Sequence, residues 1–313
     1  MPAVRDLRSS YEKVGGLYHF GRMVDKIRLQ LAGKLPADYR KMYGDQGDAT
    51  AFDGRCCRFL GIMHTALAGQ VEQGLNDAAL FAWAWENGIR PEAWEIEAWN
   101  AFLSKRGWRD AVSGPLRDDA VKQGFDPARA ATFFDLNELD EERPLRFAPE
   151  PPLARGPFPG FHPTLLPLRS PYETVGGLVH FGRMLDKIRL HAQGKLPSDW
   201  VAAQGAGPGG YDALTCRFLR VDYDALAVET RRGAPDEAVL EWVLARGRKP
   251  SEEKLLVWNA FLSKRNWRDE QTSRLHYRLQ REGLPATAVR TMFDFLDLDE
   301  GRPPRFQNDA ESA

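Results

Sequence analysis

The chain has 313 residues, of which 43% are hydrophobic and 28% are charged, and its formal net charge is -1. This length is enough for two ordinary domains, and the composition is typical of a soluble globular protein. A net charge near zero argues against a broad basic surface, and therefore against nucleic acid as a partner. Three cysteines are too few for a disulfide framework.

The sequence also predicts where the protein resides. Its first residues, MPAVRDLRSSYEKVGG, lack the apolar centre of a secretory signal peptide. No apolar run approaches the roughly 18 residues that a membrane helix needs. Together with the few cysteines, these features predict a cytoplasmic protein that has no membrane partner.

Two stretches of sequence each occur twice in the chain. Residues 8–36 match residues 169–197 at 22 of 29 positions. Residues 99–110 (WNAFLSKRGWRD) match residues 258–269 (WNAFLSKRNWRD) at 11 of 12 positions. The repeating unit is as long as a domain and far longer than the repeat of a solenoid protein. We therefore predict two similar domains that arose by internal duplication.

The predicted boundaries are residues 1–147 for copy one, 148–168 for a linker, 169–306 for copy two and 307–313 for a disordered tail. The segment PLRFAPEPPLARGPFPGFHPTLLP contains eight prolines in 24 residues, which is typical of a stiff, extended connector. The tail is small and polar. We expect the two copies to pack on each other, because fusion raises their effective concentration.

In chain order, each copy is predicted to be a series of helices. In copy one, Ser9 and Glu12 have the spacing of a capping box, which predicts a helix start. Two glycines interrupt the helical pattern. A longer helix is then predicted to run to Gly33, because a glycine there can adopt the left-handed conformation that ends a helix. A segment around Cys57 follows, then helices in NDAALFAWAWENG and PEAWEIEAWNAFLSKRG and two short helices. Alternating strand patterns are scarce, so the predicted class is all-α, with two similar helical-bundle domains.

The long helix of each copy carries the candidate site. On a helix over residues 17–31, one face forms an apolar stripe of Phe20, Met23, Val24, Ile27 and Leu31. The opposite face carries three residues that copy two repeats: His19, Arg22 and Lys26, matched by His180, Arg183 and Lys187. Substitutions on a solvated face usually change stability by less than about 0.5 kcal/mol, so such a face is free to vary. The match on this face predicts that it contacts a helix, the other copy or a ligand.

Several interpretations of this face are open. Arg22 and Asp25 have the spacing of an ion pair within the helix. The face could instead bind a small anion, such as a phosphate or carboxylate, because glycines before the helix allow close approach and its first N–H groups are free. Arg22 would then hold the anion through two parallel hydrogen bonds. An enzyme with His19 or His180 as acid and base, of unknown reaction and cofactor, and a structural or interaction module are the alternatives.

Other repeated residues have simpler predicted roles. Asn100 is expected to satisfy a buried backbone group or, alternatively, to line a pocket. Arg106 is expected to pair with Asp135. Cys57 and Cys216 are expected to be small buried hydrophobic residues. No CxxC or HExxH spacing occurs, so no metal site is predicted. The acidic segments DLNELDEER and DFLDLDEGR are expected to be solvated helix ends.

The segments LRSPYETVGGLVHFGRMLDKIRL, GKLP, CRFL and WNAFLSKRxWRD together resemble the bacterial domain-of-unknown-function 5069 family. The resemblance covers both copies, and hence most of the chain outside the linker and tail. It implies a bacterial origin and a discrete compact domain. It carries over no activity, because the family has none assigned. Members of the family are generally single units, so a fused pair departs from the usual arrangement.

Overall fold

A computed structural model describes residues 6–44, 51–205, 207 and 209–306. The chain divides into two compact units between Glu150 and Pro151. The predicted all-α class is confirmed, because the described residues form helices and only two very short hairpins. The predicted tail at residues 307–313 lies outside the described residues, and the boundaries drawn from the sequence stay predictions.

Unit one consists of a small hairpin followed by helices that pack around the first of them. Its described elements are β1 (Lys13–Val14), β2 (Leu17–Tyr18), α1 (Phe20–Leu31), α2 (Ala37–Arg40), α3 (Phe52–Leu60), α4 (His64–Glu72), α5 (Asp77–Asn87), α6 (Ala93–Ser104), α7 (Ser113–Lys122) and α8 (Phe133–Asp140). A single 3-10 turn (Pro127–Arg129) precedes α8. Helix α1 packs against α3, α4 and β1, so it lies at the centre of the unit.

Unit two repeats this order of elements. Its described elements are β3 (Thr174–Val175), β4 (Leu178–Val179), α9 (Phe181–Ala192), α10 (Ser198–Ala202), α11 (Tyr211–Leu219), α12 (Tyr223–Arg231), α13 (Asp236–Arg246), α14 (Glu252–Ser263), α15 (Thr272–Arg281) and α16 (Met292–Asp299). Helix α9 is the counterpart of α1 and packs against α10, α11, α12 and the hairpin.

The prediction that a helix starts at Ser9 is wrong, because the chain forms a turn there and then a hairpin. The carboxylate of Glu12 accepts a hydrogen bond from the backbone N–H of Ser9, as in a capping box, but no helix follows. Gly15 and Gly16 have φ values of +59° and +86° and connect β1 to β2. A two-residue hairpin turn of this kind needs positive φ at both positions, which glycine adopts without strain. The glycines therefore reverse the chain instead of starting a helix.

A buried asparagine fixes the hairpin against α6. The side-chain oxygen of Asn100 accepts from the backbone N–H of Tyr18 at 2.8 Å, and its amide nitrogen donates to the carbonyl of Gly16 at 2.8 Å. Asn259 makes the same two contacts to Val179 and Gly177. The predicted role of this asparagine, to satisfy backbone groups, is confirmed. The clamp orients the residue that follows β2, which is His19.

The apolar stripe of α1 is buried except at its last residue. Phe20, Met23, Val24 and Ile27 are fully buried, whereas Leu31 is 49% exposed, so its predicted place in the core is wrong. The helix ends at Leu31, and the chain turns away at Gly33, whose φ is +69°. This glycine has the left-handed conformation that the sequence predicts for the helix end.

The proline-rich segment before β3 makes contacts within unit two. The backbone N–H of Ala154 donates to the carbonyl of Thr287, and that of Thr164 donates to the carbonyl of Asp299. Phe158 also packs against the apolar cluster of α15 and α16. Part of the predicted linker is therefore held by the domain that follows it.

Candidate functional site

The polar face of the central helix, defined as His19, Arg22 and Lys26, is buried inside unit one. Each of these residues is at most 4% exposed. Their counterparts in unit two are buried to the same degree: His180, Arg183 and Lys187. Burial of an unpaired charge costs several kcal/mol, so the arginine and the lysine need partners inside the domain.

His19 and Lys26 meet at one carboxylate, that of Asp53 at the start of α3. Nε2 of His19 lies 2.8 Å from Oδ1 of Asp53, and Nζ of Lys26 lies 2.5 Å from the same oxygen. The backbone N–H of Gly44 donates to Oδ2 at 3.2 Å. Both oxygens of this fully buried carboxylate are therefore bonded.

Unit two repeats the cluster around Asp212. Its Oδ1 lies 2.8 Å from Nε2 of His180 and 2.6 Å from Nζ of Lys187. Its Oδ2 accepts from Lys187 at 2.7 Å and from the backbone N–H of Gly205 at 3.0 Å. We call each set the His–Asp–Lys cluster: His19, Asp53 and Lys26 in unit one, and His180, Asp212 and Lys187 in unit two.

Burial and charge set the protonation states of the cluster. Burial by itself raises the pKa of Asp53, but the charge of Lys26 and the hydrogen bond from His19 bring that pKa well below its usual range. Burial lowers the pKa of His19 to about 4, against the pull of Asp53. The imidazole is therefore neutral at pH 7, and Nε2 carries its proton because an ionised carboxylate accepts there.

Arg22 has a different partner, the carboxylate of Glu141 directly after α8. Nη1 of Arg22 donates to Oε2 of Glu141 at 2.8 Å, Nη2 donates to Oε1, and Nη1 also donates to the carbonyl of Arg8 at 3.0 Å. Arg143 in turn pairs with Glu141 and with Glu138. A two-point arginine–carboxylate pair of this kind is among the stronger polar contacts in proteins. The equivalent residues in unit two make the same contacts: Arg183, Glu300, Arg169, Arg302 and Asp297.

The histidine of each cluster has an unusual backbone. His19 and His180, directly before the central helices, have φ values of +69° and +67°. Left-handed backbone is uncommon for residues other than glycine, although histidine, asparagine and aspartate are enriched there. Such strain persists only where the surrounding structure enforces it, and it is concentrated at functional sites. Nδ1 of each imidazole is buried and has no hydrogen-bond partner among the described residues.

The sequence prediction found the cations but missed their carboxylates. Asp53 and Glu141 lie 34 and 119 residues away from their partners along the chain. The acidic segment that contains Glu141 was expected to be a solvated helix end, and this is wrong, because Glu138 and Glu141 are at most 5% exposed. Copy two has the same residue types at the matching positions, so a comparison of the two copies could have indicated Asp53 and Glu141.

Two further predictions on repeated residues have different outcomes. Arg106 forms its ion pair with Asp110 at 3.3 Å, four residues further along the chain, and not with the expected Asp135. Asp135 instead caps the start of α8, where it accepts from the backbone N–H of Thr132. Cys57 and Cys216 are buried, as predicted.

In the part of the chain that the structure describes, no group of three or more His, Cys, Asp or Glu side chains is arranged to hold a metal ion. The described helices include none that combines the length and the apolar character needed to cross a bilayer.

The two units differ at the acidic helix end. In unit one, the hydroxyl of Tyr39 lies within hydrogen-bond distance of both Asp140 and Glu141, at 3.0 and 3.1 Å. In unit two, the equivalent Trp200 has one donor, which reaches Glu300 at 3.1 Å. Burial, together with the charges of Glu282 and Glu300, raises the pKa of Asp299 to about 6.

The buried histidines predict a loss of stability in mild acid. His19 has a folded-state pKa of about 4, whereas an unfolded histidine titrates near 6.5. Between these values the unfolded chain binds more protons, so the free energy of unfolding falls as the pH falls from 6.5 to 4. We expect each histidine to contribute up to about 3 kcal/mol to this fall, at 1.36 kcal/mol per pKa unit.

Urea unfolding across this pH range measures the effect. His19→Asn keeps a residue that tolerates positive φ and removes the titrating group, so it should flatten the pH dependence of unit one. If the free energy of unfolding depends on pH equally in the variant and the wild type, His19 does not titrate between pH 4 and 6.5.

The structure thus defines a class: a tandem protein of two all-α domains, each built on a central helix whose cationic face is buried against internal carboxylates. The family model of a domain of unknown function (DUF5069) matches the chain twice, at residues 4–143 and 166–302. The chain belongs to this family and is a tandem duplication of its domain. No curated protein and no solved structure matches the chain.

Proposed function

We propose that the chain is a structural or interaction module whose repeated polar face stabilises each domain from within. One observation carries the proposal. Every cation of the predicted anion site, namely Arg22, Lys26, Arg183 and Lys187, already has an internal carboxylate partner. A phosphate or carboxylate ligand would have to displace one of these buried partners.

The surfaces of the two domains support an interaction role. Several large apolar side chains are exposed, and the other copy has a charged residue at the matching position. The matched pairs are Met63 and Asp222, Ile89 and Arg248, Leu256 and Glu97, and Tyr277 and Asp118. The copies therefore share their interior and differ in the side chains that they expose on the surface.

Anion screening separates this proposal from the anion-binding alternative. Thermal unfolding of the full chain would be followed in sodium phosphate, sulfate and citrate, with sodium chloride at equal ionic strength as the reference. We expect each anion to act like chloride. A ligand at 100 times its Kd adds about 2.7 kcal/mol, so saturable stabilisation of that size would be easily measured.

Saturable stabilisation that disappears in the double variant Arg22→Met/Glu141→Leu would overturn the proposal. That variant removes both charges of the pair and replaces them with apolar side chains, a change that proteins often tolerate.

Three broader features belong to the same proposal. The three cysteines are buried and form no disulfide among the described residues, which supports a reducing, cytoplasmic location. A bacterial origin is proposed from the family resemblance alone. Packing of the two domains on each other is proposed from their fusion alone, and small-angle X-ray scattering of the full chain would test it.

A further inference from the structure

We infer that Nδ1 of His19 and Nδ1 of His180 each accept a hydrogen bond from a small, uncharged ligand that carries an N–H or O–H donor. This binding role goes beyond the stabilising role proposed above. It concerns the one polar atom of each His–Asp–Lys cluster that has no partner among the described residues.

The cluster fixes which nitrogen is left for a ligand. Nε2 of each imidazole lies 2.8 Å from an aspartate oxygen, so its proton is directed to that carboxylate. The lone pair of the ring is therefore on Nδ1. A carboxylate that orients a histidine and fixes its tautomer in this way is common in sites where the opposite nitrogen contacts a ligand.

The backbone shows that this orientation is imposed by the fold. His19 and His180 both sit in the left-handed region, and both are held between a hairpin and a helix. A buried acceptor without a partner destabilises the fold relative to one that is bonded. A purely structural histidine would not need both the strained backbone and the unpartnered atom in both domains.

The surroundings select the chemistry of the ligand. The lysine and aspartate of each cluster cancel in charge, so the site favours an uncharged guest. A carboxylate or sulfate ion offers no donor to a lone pair, and a lone imidazole makes a poor metal site. Aromatic rings flank both histidines: the ring centroids of His19 and Phe52 are 5.4 Å apart, and those of His180 and Tyr211 are 5.3 Å apart. These neighbours match the chemistry of a small molecule with an apolar body and one donor group.

The lowered pKa of the histidines argues for binding and not for base catalysis. A group with a pKa of about 4 accepts protons weakly at pH 7, whereas an efficient general base has a pKa near the working pH. Its lone pair still accepts a hydrogen bond. The ligand is therefore held by Nδ1 and keeps its own proton.

Nitrogen-15 NMR of the full chain with labelled histidine tests the inference, with acetamide as the probe. N,N-dimethylacetamide is the matched control, because it retains the carbonyl and the apolar body but has no N–H. We expect acetamide to shift the Nδ1 resonances of His19 and His180 upfield in a saturable manner, and we expect the control compound to shift neither. In His19→Asn, only the resonance of His180 should respond, which reports on an intact second domain within the same molecule.

Three results would overturn the inference. One is the absence of a saturable shift with acetamide in the wild type. Another is an equal response to N,N-dimethylacetamide. The third is an Nδ1 resonance that is already at the hydrogen-bonded position in buffer alone, since water would then be the partner. His276→Asn, a change at an exposed histidine without a counterpart in copy one, serves as the control and should leave both responses intact.

Discussion

Glu141→Leu should lower the free energy of unfolding of unit one by about 3–5 kcal/mol, the usual effect of removing one partner of a buried ion pair. The substitution leaves the guanidinium of Arg22 buried without the carboxylate that now accepts two of its hydrogen bonds. Native-state hydrogen exchange at the backbone amides of α1 would measure the change within unit one, independently of unit two.

Two matched variants make this prediction specific. The double variant Arg22→Met/Glu141→Leu should recover most of the loss, because no unpaired charge remains. Lys122→Met breaks an exposed pair with Asp119 and should change stability by less than about 1 kcal/mol. If Glu141→Leu is no more destabilising than Lys122→Met, the buried pair does not stabilise the domain as described.

Asp212→Asn should destabilise unit two by about 3–5 kcal/mol at pH 7, because Lys187 loses the carboxylate that lies 2.6 Å from its ammonium group. Burial already lowers the pKa of Lys187, and removal of Asp212 lowers it further. The unfolded chain then binds more protons than the folded one, so the stability of this variant should rise as the pH rises. Urea unfolding from neutral to alkaline pH measures this recovery.

Asp236→Asn provides the control for that pH dependence. Asp236 pairs with two arginines, Arg169 and Arg189, and not with a lysine. A guanidinium group does not lose its proton in proteins. The stability that Asp236→Asn loses relative to the wild type should therefore be the same at neutral and at alkaline pH. Recovery in the Asp236 variant, or none in the Asp212 variant, would contradict the role assigned to Lys187.

Internal repetition allowed much of the fold to be predicted. The period of the apolar residues located α1, and the match of its polar face indicated that this face makes contacts. The hairpin was not predicted, because Ser9 and Glu12 give a local helix signal that the Gly15–Gly16 turn overrides. A capping box stabilises only the first turn of a helix, whereas the pairing of β1 with β2 and the Asn100 clamp fix the chain over several residues.

The candidate site was predicted less completely than the fold. Helical spacing shows that His19, Arg22 and Lys26 share a face, but not what the face meets. That depends on Asp53 and Glu141, which come from distant parts of the chain. A cationic helix face on its own predicts an anionic ligand as well as it predicts internal carboxylate partners. The difference between a ligand site and an internal network depends on whether tertiary structure supplies the counter-charge.

The exchange of Tyr39 for Trp200 has a consequence for the tandem as a whole. The hydroxyl of Tyr39 lies near both Asp140 and Glu141, whereas the indole N–H of Trp200 reaches Glu300, and the pKa of Asp299 is about 6. In the second copy, burial and the charges of Glu282 and Glu300 raise the pKa of Asp299, whereas in the first copy the equivalent Asp140 accepts a hydrogen bond from Tyr39. Duplication has in this way given the two halves different polar contacts at the same acidic helix end.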